Sequence, residues 1–83
     1  MTKPKYIARL EKALASKLEA KVELERVAPN RYRFAVVSER FNRMGHFKRQ
    51  ELVWKVVNET LTKEQSLSVS LILAYAPKDF ASV

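Results

Sequence analysis

The chain has 83 residues, a net charge of +7 and no cysteine. This length fits one domain, and a hydrophobic share of 47% with 30% charged residues is typical of folded proteins rather than disordered ones. Without a thiol, the sequence excludes disulfides, thiolate metal ligands and cysteine nucleophiles. It has no signal-like apolar stretch and no run long enough to cross a bilayer, so we expect a single domain over residues 1–83, cytoplasmic and away from the membrane.

The first predicted element is a helix over residues 4–18. Pro4 suits its first turn, where a backbone N–H has no partner within the helix. Apolar residues recur at helical spacing, and the predicted buried stripe consists of Ile7, Leu10, Leu14 and Leu18.

Two alternating segments then predict a β-hairpin. Lys21–Ala28 and Arg31–Val37 each alternate apolar and polar residues on either side of a Pro29-Asn30 turn. Val27 interrupts the alternation of the first strand, which indicates a bulge or the end of that strand. We expect the two strands to pair antiparallel through this short turn.

The next segments predict a break, a long helix and a loop. Ser38–Gly45 has room for at most one helical turn, and His46–Leu61 follows as a helix. The predicted buried stripe of this helix consists of Leu52, Val53, Val56, Val57, Thr60 and Leu61. Thr62–Leu67 is predicted to be a polar loop.

The third predicted strand is Ser68–Tyr75, the most apolar of the three. One of its faces is predicted to carry Val69, Leu71, Leu73 and Tyr75. Pro77 ends the strand, and Lys78–Ser82 can form a last helical turn with Phe80 as an apolar plug.

Together these elements predict an α+β fold in which a three-stranded sheet carries its helices on one face. Because the third strand is so apolar, we expect it in the centre of the sheet or against both helices. The expected core consists of Leu10, Leu14, Phe34, Val53, Val56, Leu71 and Leu73.

Positive charge concentrates between residues 31 and 49, where six bases and one acid supply +5 of the net +7. This segment is either solubility charge or a surface for a polyanion or an acidic protein. Bases in the first turn of a helix are locally unfavourable, since the helix N-terminus is already partly positive, and a bound anion would offset that repulsion. The residues predicted to contact nucleic acid or another anion are Arg40, Arg43, His46, Lys48 and Arg49.

Three side chains of this helix admit alternative roles. Arg49 extends the buried stripe, so we favour its pairing with a nearby carboxylate such as Glu39 over phosphate binding. Gln50 and Trp54 lie four residues apart on the flank of the stripe. Trp54 is either a packing residue or a partly exposed anchor for a partner. The predicted partner contacts, which follow from the anchor interpretation, are Gln50 and Trp54.

No catalytic or metal-binding set is readable. One histidine and no cysteine cannot supply a zinc site, and one glycine cannot build a phosphate loop. His46 is the only histidine, and no Ser-His-Asp arrangement is readable around it. We therefore predict a protein that is not an enzyme and has no cofactor and no metal.

The segment VVSERF, followed by Arg49-Gln50 and then LVW, resembles the BolA-like family. The family pattern runs Ser-acidic-x-Phe, an Arg-His pair, and an aliphatic pair before Tyr. The matching residues are Ser38, Glu39, Phe41, Arg49, Leu52 and Val53, with Trp54 in the tyrosine place. The ending AYAPKDF also resembles the close of that family, through Pro77, Asp79 and Phe80.

This resemblance implies a class II KH-like fold with the order α-β-β-α-α-β. It also implies two kinds of function. Some members of the family are DNA-binding regulators of transcription, cell shape and stress response. Members are also linked to monothiol glutaredoxins, with which they share a [2Fe-2S] cluster in iron–sulfur handling.

The sequence departs from the family pattern where chemistry would be needed. Gln50 replaces the histidine of the Arg-His pair, and Ala28-Pro29-Asn30 lacks the Cys or His that the family uses as second ligand. Arg43 replaces a glycine, and the GxxG loop of KH-type nucleic-acid binding is missing. We expect a regulator that contacts DNA, RNA or another anionic surface, as a monomer or weak dimer. The alternative is an adaptor for a monothiol glutaredoxin, held by protein contacts without its own cluster ligand.

Overall fold

The computed structural model describes residues 3–81. Its elements follow the predicted order closely, and both hairpin strands have the predicted bounds. In chain order they are α1 (Lys5–Lys17), β1 (Lys21–Ala28), β2 (Arg31–Val37), a 3-10 turn (Glu39–Arg43), α2 (His46–Thr60), α3 (Lys63–Ser66), β3 (Val69–Tyr75) and α4 (Lys78–Ala81). The fold is α+β, as the alternation of periodicities predicted.

The three strands form one mixed sheet in the order β1-β2-β3. β1 pairs antiparallel with β2 as expected, and Asn30 takes the left-handed φ of 59° that closes the turn. A register shift between Arg26 and Ala28 shows that Val27 marks a bulge. β3 runs parallel to β2 at the other edge. The expectation of a central β3 was wrong: the tight hairpin fixes β1 on one side of β2, so the strand returning after α2 pairs with the other side.

The helices cover one face of the sheet, and the core lies between the two layers. β2 directs its alternate side chains into this core, whereas its Arg33 lies on the exposed face. The buried apolar residues are Ile7, Leu10, Leu14, Leu18, Tyr32, Phe34, Val36, Phe41, Val53, Val56, Val57, Leu61, Val69, Ile72 and Ala76. The predicted stripes of both long helices are confirmed, except that Leu52 and Thr60 are only partly buried.

A bulge in β3 shifts the phase of its side chains. Tyr32 of β2 pairs with Val69, but the next residue, Arg33, pairs with Leu71. Ser70 is therefore the extra residue on β3. Beyond it, the alternation of inward and outward side chains is reversed relative to a regular strand.

The reversal changes which residues of β3 reach the core. Ile72 is buried with 1% exposure, whereas Leu71 is 45% exposed on the open face of the sheet. Leu73 is only partly buried. Placing Leu71 and Leu73 in the core was therefore wrong, because strict alternation takes no account of an inserted residue.

Two connecting segments also differ from expectation. The predicted polar loop contains α3, which begins with a capping box between Thr62 and Gln65. In the last turn, Phe80 is 55% exposed and lies against the ring of Tyr75, with centroids 5.3 Å apart. Phe80 is thus a surface contact and not a plug in the core. Ser82, predicted within this turn, lies outside the described residues.

Candidate functional site

Ser38 ends β2 and fixes the turn that leads to α2. It is 2% exposed, and its hydroxyl donates to the carbonyl oxygen of Leu18 at 2.6 Å and accepts from the N–H of Arg40 at 3.1 Å. Phe41 is fully buried and anchors the 3-10 turn in the core. These two contacts determine where the chain re-enters as a helix after Gly45.

Arg49 joins three segments of the chain. Its Nε donates to the carbonyl oxygen of Met44 at 2.9 Å, and its Nη1 donates to that of Ala74 at 3.2 Å. The same Nη1 lies 2.7 Å from a carboxylate oxygen of Asp79, and the Arg49 side chain is 13% exposed. The expected structural pairing is confirmed, but Glu39 as the example of its partner was wrong. Asp79 lies beyond β3, and the fold, not chain proximity, brings it to α2.

The ionised form of Asp79 is stabilised by this arrangement. The hydrogen bond from Arg49 is the main cause that lowers the pKa of the Asp79 carboxyl, and a second comes from the backbone N–H of Ala76 at 2.8 Å. Asp79 thus connects the end of β3, the start of α4 and α2 through one carboxylate.

Gln50 is bonded at both ends of its amide. Nε2 donates to the carbonyl oxygen of Ile72 at 2.9 Å, and Oε1 accepts from Nε1 of Trp54 at 3.2 Å. Trp54 is partly buried and packs against the core, which agrees with a packing role for its ring. A cavity of about 260 Å³ lies beside these two hydrogen bonds and is lined by His46, Gln50 and residues 71–75. Together with Arg49, Gln50 caps carbonyl groups along the free edge of β3.

The other predicted anion-binding residues are at the surface. Arg40 pairs with Glu19 on the loop after α1, with Nη2 and the carboxylate oxygen 3.0 Å apart. Arg43, His46 and Lys48 are exposed and form no ion pair within residues 3–81. The structure therefore separates the five bases into Arg49, which is held internally, and four that face solvent.

The start of α2 lacks the groups that usually stabilise a helix N-terminus. Gly45 provides no side-chain cap, and no acid lies in the first turn. Phe47, within that turn, is 68% exposed, and the sequence pattern did not single it out. The signal that could have identified Phe47 as exposed is its position between His46 and Lys48, outside the buried stripe.

The donor set does not fit a metal or a cluster ligand site. No group of three or more His, Cys, Asp or Glu side chains is placed to hold a metal among residues 3–81. At the family's histidine position, the Gln50 amide is occupied by internal hydrogen bonds.

Among residues 3–81, no helix has the length and apolar character needed to cross a bilayer.

The structure is similar to solved BolA structures along nearly its whole length. BolA1 from Arabidopsis thaliana matches with a TM-score of 0.76 and 23% identity, over 93% of this chain and 98% of that one. The BolA domain of SufE1 from the same plant matches with a TM-score of 0.75 and 19% identity, over 94% and 99% of the two chains. The solution structure of BolA1 from Mus musculus matches with a TM-score of 0.75 and 24% identity, over 99% and 73%.

No protein-family model and no curated protein sequence matches the chain. The similarity is thus carried by the backbone, whose α-β-β-α-α-β order is the one that the Ser38–Trp54 segment and the Pro77–Phe80 ending implied. The resemblance seen in the sequence is confirmed at the level of structure: this chain has the BolA-like fold.

Proposed function

We propose that this chain is a non-enzymatic, BolA-like regulatory binding domain that contacts nucleic acid through the start of α2. The observation that supports this function is a group of exposed bases without ion pairs in the described chain, around an exposed aromatic ring. Its members are Arg43, His46, Phe47 and Lys48. A polyanion would supply the negative charge that this surface lacks.

The helix geometry strengthens the attraction. The first N–H groups of α2 have no side-chain acceptor from Gly45, so they are available to a phosphate oxygen. Arg40 can join the interface, because an exposed pair such as Arg40–Glu19 contributes little and exchanges readily for a phosphate. Arg49 is held by internal contacts to Met44, Ala74 and Asp79, so we assign it no phosphate contact.

Phe47 favours single strands over duplexes. An exposed ring flanked by cations is the arrangement on which unpaired bases stack while the phosphates are neutralised. Stacking does not require the glycine loop by which KH-type domains clamp a strand. We therefore infer that single-stranded DNA or RNA is the preferred ligand.

Fluorescence anisotropy with labelled single-stranded and duplex oligonucleotides tests this function. The single-strand affinity should fall with salt, with a slope of about −0.7 per phosphate contacted. Phe47→Ala should weaken single-strand binding by about fivefold or more, since stacking contributes on the order of 1–3 kcal/mol per base. Lys48→Ala should weaken binding to both ligands and reduce the salt slope.

Lys12→Ala is the matched control, because Lys12 is an exposed base on α1 that forms no ion pair within residues 3–81. It removes the same charge at a different surface, so binding should change little. No binding of either oligonucleotide at low salt would refute the proposed function. Equal losses for Lys48→Ala and Lys12→Ala would show attraction to net charge without a site.

A second candidate is an adaptor for a monothiol glutaredoxin, held by protein contacts alone. The exposed ring of Phe47, which follows the cavity-lining His46 in the chain, favours it, since an apolar side chain on a polar surface is a common docking anchor. The test is to add cluster-loaded glutaredoxin and record the visible spectrum. Gln50→His should create or strengthen cluster-bridged pairing, and His46→Ala should leave any binding nearly unchanged.

A further inference from the structure

A groove of about 850 Å³ lies between the start of α1 and the β1–β2 hairpin. Its floor is apolar and includes Ala8, Leu24 and the ring of Tyr32. It lies at the opposite end of β2 from the surface at the start of α2. The six residue-to-residue steps from Tyr32 to Ser38 span about 20 Å of strand, so one ligand of modest size cannot be shared by both surfaces.

The rim of this groove is positive. Lys3, Lys5 and Arg26 line it, and no acid is among the lining residues in the described part of the chain. Lys3 pairs with Glu11, which lies outside the lining. Lys5 is exposed and forms no ion pair within residues 3–81. An apolar floor under a positive rim is complementary to a ligand that combines carboxylates with aliphatic side chains.

Tyr32 adds a hydrogen-bond donor to the groove. The residue is only 6% exposed, and its hydroxyl makes no hydrogen bond within the described part of the chain. This hydroxyl is not one of the buried polar atoms that lack a partner, so it reaches solvent where the side chain lines the groove. It can therefore donate to an acceptor on a molecule bound there.

We propose that this groove binds an acidic peptide segment of a partner protein. The peptide lies extended along the groove with one or two aliphatic side chains on Leu24 and Ala8. Its carboxylates contact Lys5, and one carboxylate or carbonyl oxygen accepts from the Tyr32 hydroxyl. Because the groove is partly open to solvent, it suits an extended chain better than a small molecule, which needs most of its surface buried. A nucleic acid fits less well, since the floor offers no exposed aromatic face for bases.

The probe is a fluorescein-labelled peptide in which glutamates flank two leucines, with a second peptide that carries glutamine in place of glutamate. Anisotropy should show saturable binding of the acidic peptide and little binding of the neutral one. Lys5→Glu should weaken binding by about tenfold or more, since it replaces attraction by repulsion at the rim. Tyr32→Phe keeps the ring in the core and should weaken binding by about fivefold, the expected effect of one hydrogen bond.

Lys12→Glu is the matched control: it makes the same charge change on α1, outside the groove. It should leave the affinity within about twofold of the wild type, whereas weak surface attraction would respond equally to both reversals. In amide NMR spectra, the acidic peptide should shift resonances of residues 3–8 and 24–32 and leave those of residues 43–50 unchanged.

Several outcomes would overturn the proposal. Absence of saturable binding, equal losses for Lys5→Glu and Lys12→Glu, or shifts confined to residues 43–50 would each do so. Self-association that Lys5→Glu abolishes would show that a second copy of the chain occupies the groove. Failure here leaves the nucleic-acid function intact, because that function is tested at the other end of the sheet.

Discussion

The guanidinium of Arg49 and the carboxylate of Asp79 lie 2.7 Å apart, which joins the first turns of α2 to the segment after β3. Arg49 also lies over the ring of Phe41, with 5.9 Å between its Cζ and the ring centroid. The arginine and the Pro-x-Asp ending of the sequence are therefore two halves of one structural contact. Their separation of 30 residues is the reason why the sequence pattern alone did not show the pair.

Replacement of Arg49 should destabilise the fold. Arg49→Ala leaves the carbonyl groups of Met44 and Ala74 without their donor and removes most of a side chain that is 13% exposed. We expect the free energy of unfolding to fall by about 2–3 kcal/mol in urea melts. Arg43→Ala, at an exposed position, is the control and should change it by less than about 0.5 kcal/mol. Similar small effects for both variants would show that Arg49 has no structural role.

Acid should weaken the same contact. The folded protein holds the pKa of Asp79 below its ordinary value of 3.8, chiefly through the hydrogen bond from Arg49. This stabilisation is complete above the unfolded pKa and is lost as pH falls through the lowered pKa of the folded state. Asp79→Asn should thus be less stable than the wild type near neutral pH. The difference between the two should shrink in urea melts below about pH 4. A difference that stays constant down to about pH 2 would contradict this linkage.

The bulge at Ser70 makes neighbouring residues of β3 unequal. Ile72→Ala creates a cavity in the core and should cost about 2–4 kcal/mol, because the side chain is 1% exposed. Leu71→Ala, at a residue that is 45% exposed, should cost less than about 1 kcal/mol. Denaturant melts of the two variants compare them directly. Equal costs would mean that β3 pairs in the regular register and that Leu71 reaches the core.

This contrast between Ile72 and Leu71 also shows how far the sequence could predict the fold. Local signals sufficed where neighbours in sequence are neighbours in space: the Pro29-Asn30 turn specified the hairpin, and helical spacing specified the core face of α1. They failed at β3, since an inserted residue such as Ser70 has no signature in an apolar strand. The edge position of β3 was also missed. The strand is apolar partly because of Leu71, which is exposed, so its composition overstated how much of the strand is buried.

The candidate site divides in the same way. Clustering of bases located the surface at the start of α2, and the position of Arg49 in the buried stripe predicted its internal role. The exposure of Phe47 depends on how α2 lies on the sheet, which periodicity does not give. The groove at Tyr32 joins α1 to the hairpin, so no contiguous motif could reveal it.

The two hydrogen bonds that link Trp54 to Gln50 and Gln50 to Ile72 should be energetically coupled. Gln50→Leu leaves the indole N–H and the carbonyl oxygen of Ile72 without this partner, so the free energy of unfolding should fall by about 1–2 kcal/mol. Trp54→Phe removes one of the two bonds. If the amide serves both groups, the double variant should lose less than the sum of the single losses, by about 0.5–1 kcal/mol.

Circular-dichroism melts in urea measure all four members of this cycle, since fluorescence is lost with the single tryptophan. Gln50→Glu is a useful further variant: its carboxylate can still accept from Trp54 but cannot donate to Ile72 when ionised, so its loss should recover partly at acid pH. Strictly additive single losses would show that Gln50 and Trp54 act independently. The hydrogen bond between Trp54 and Gln50 would then contribute no stability, and Gln50 would act through its bond to the carbonyl oxygen of Ile72 alone.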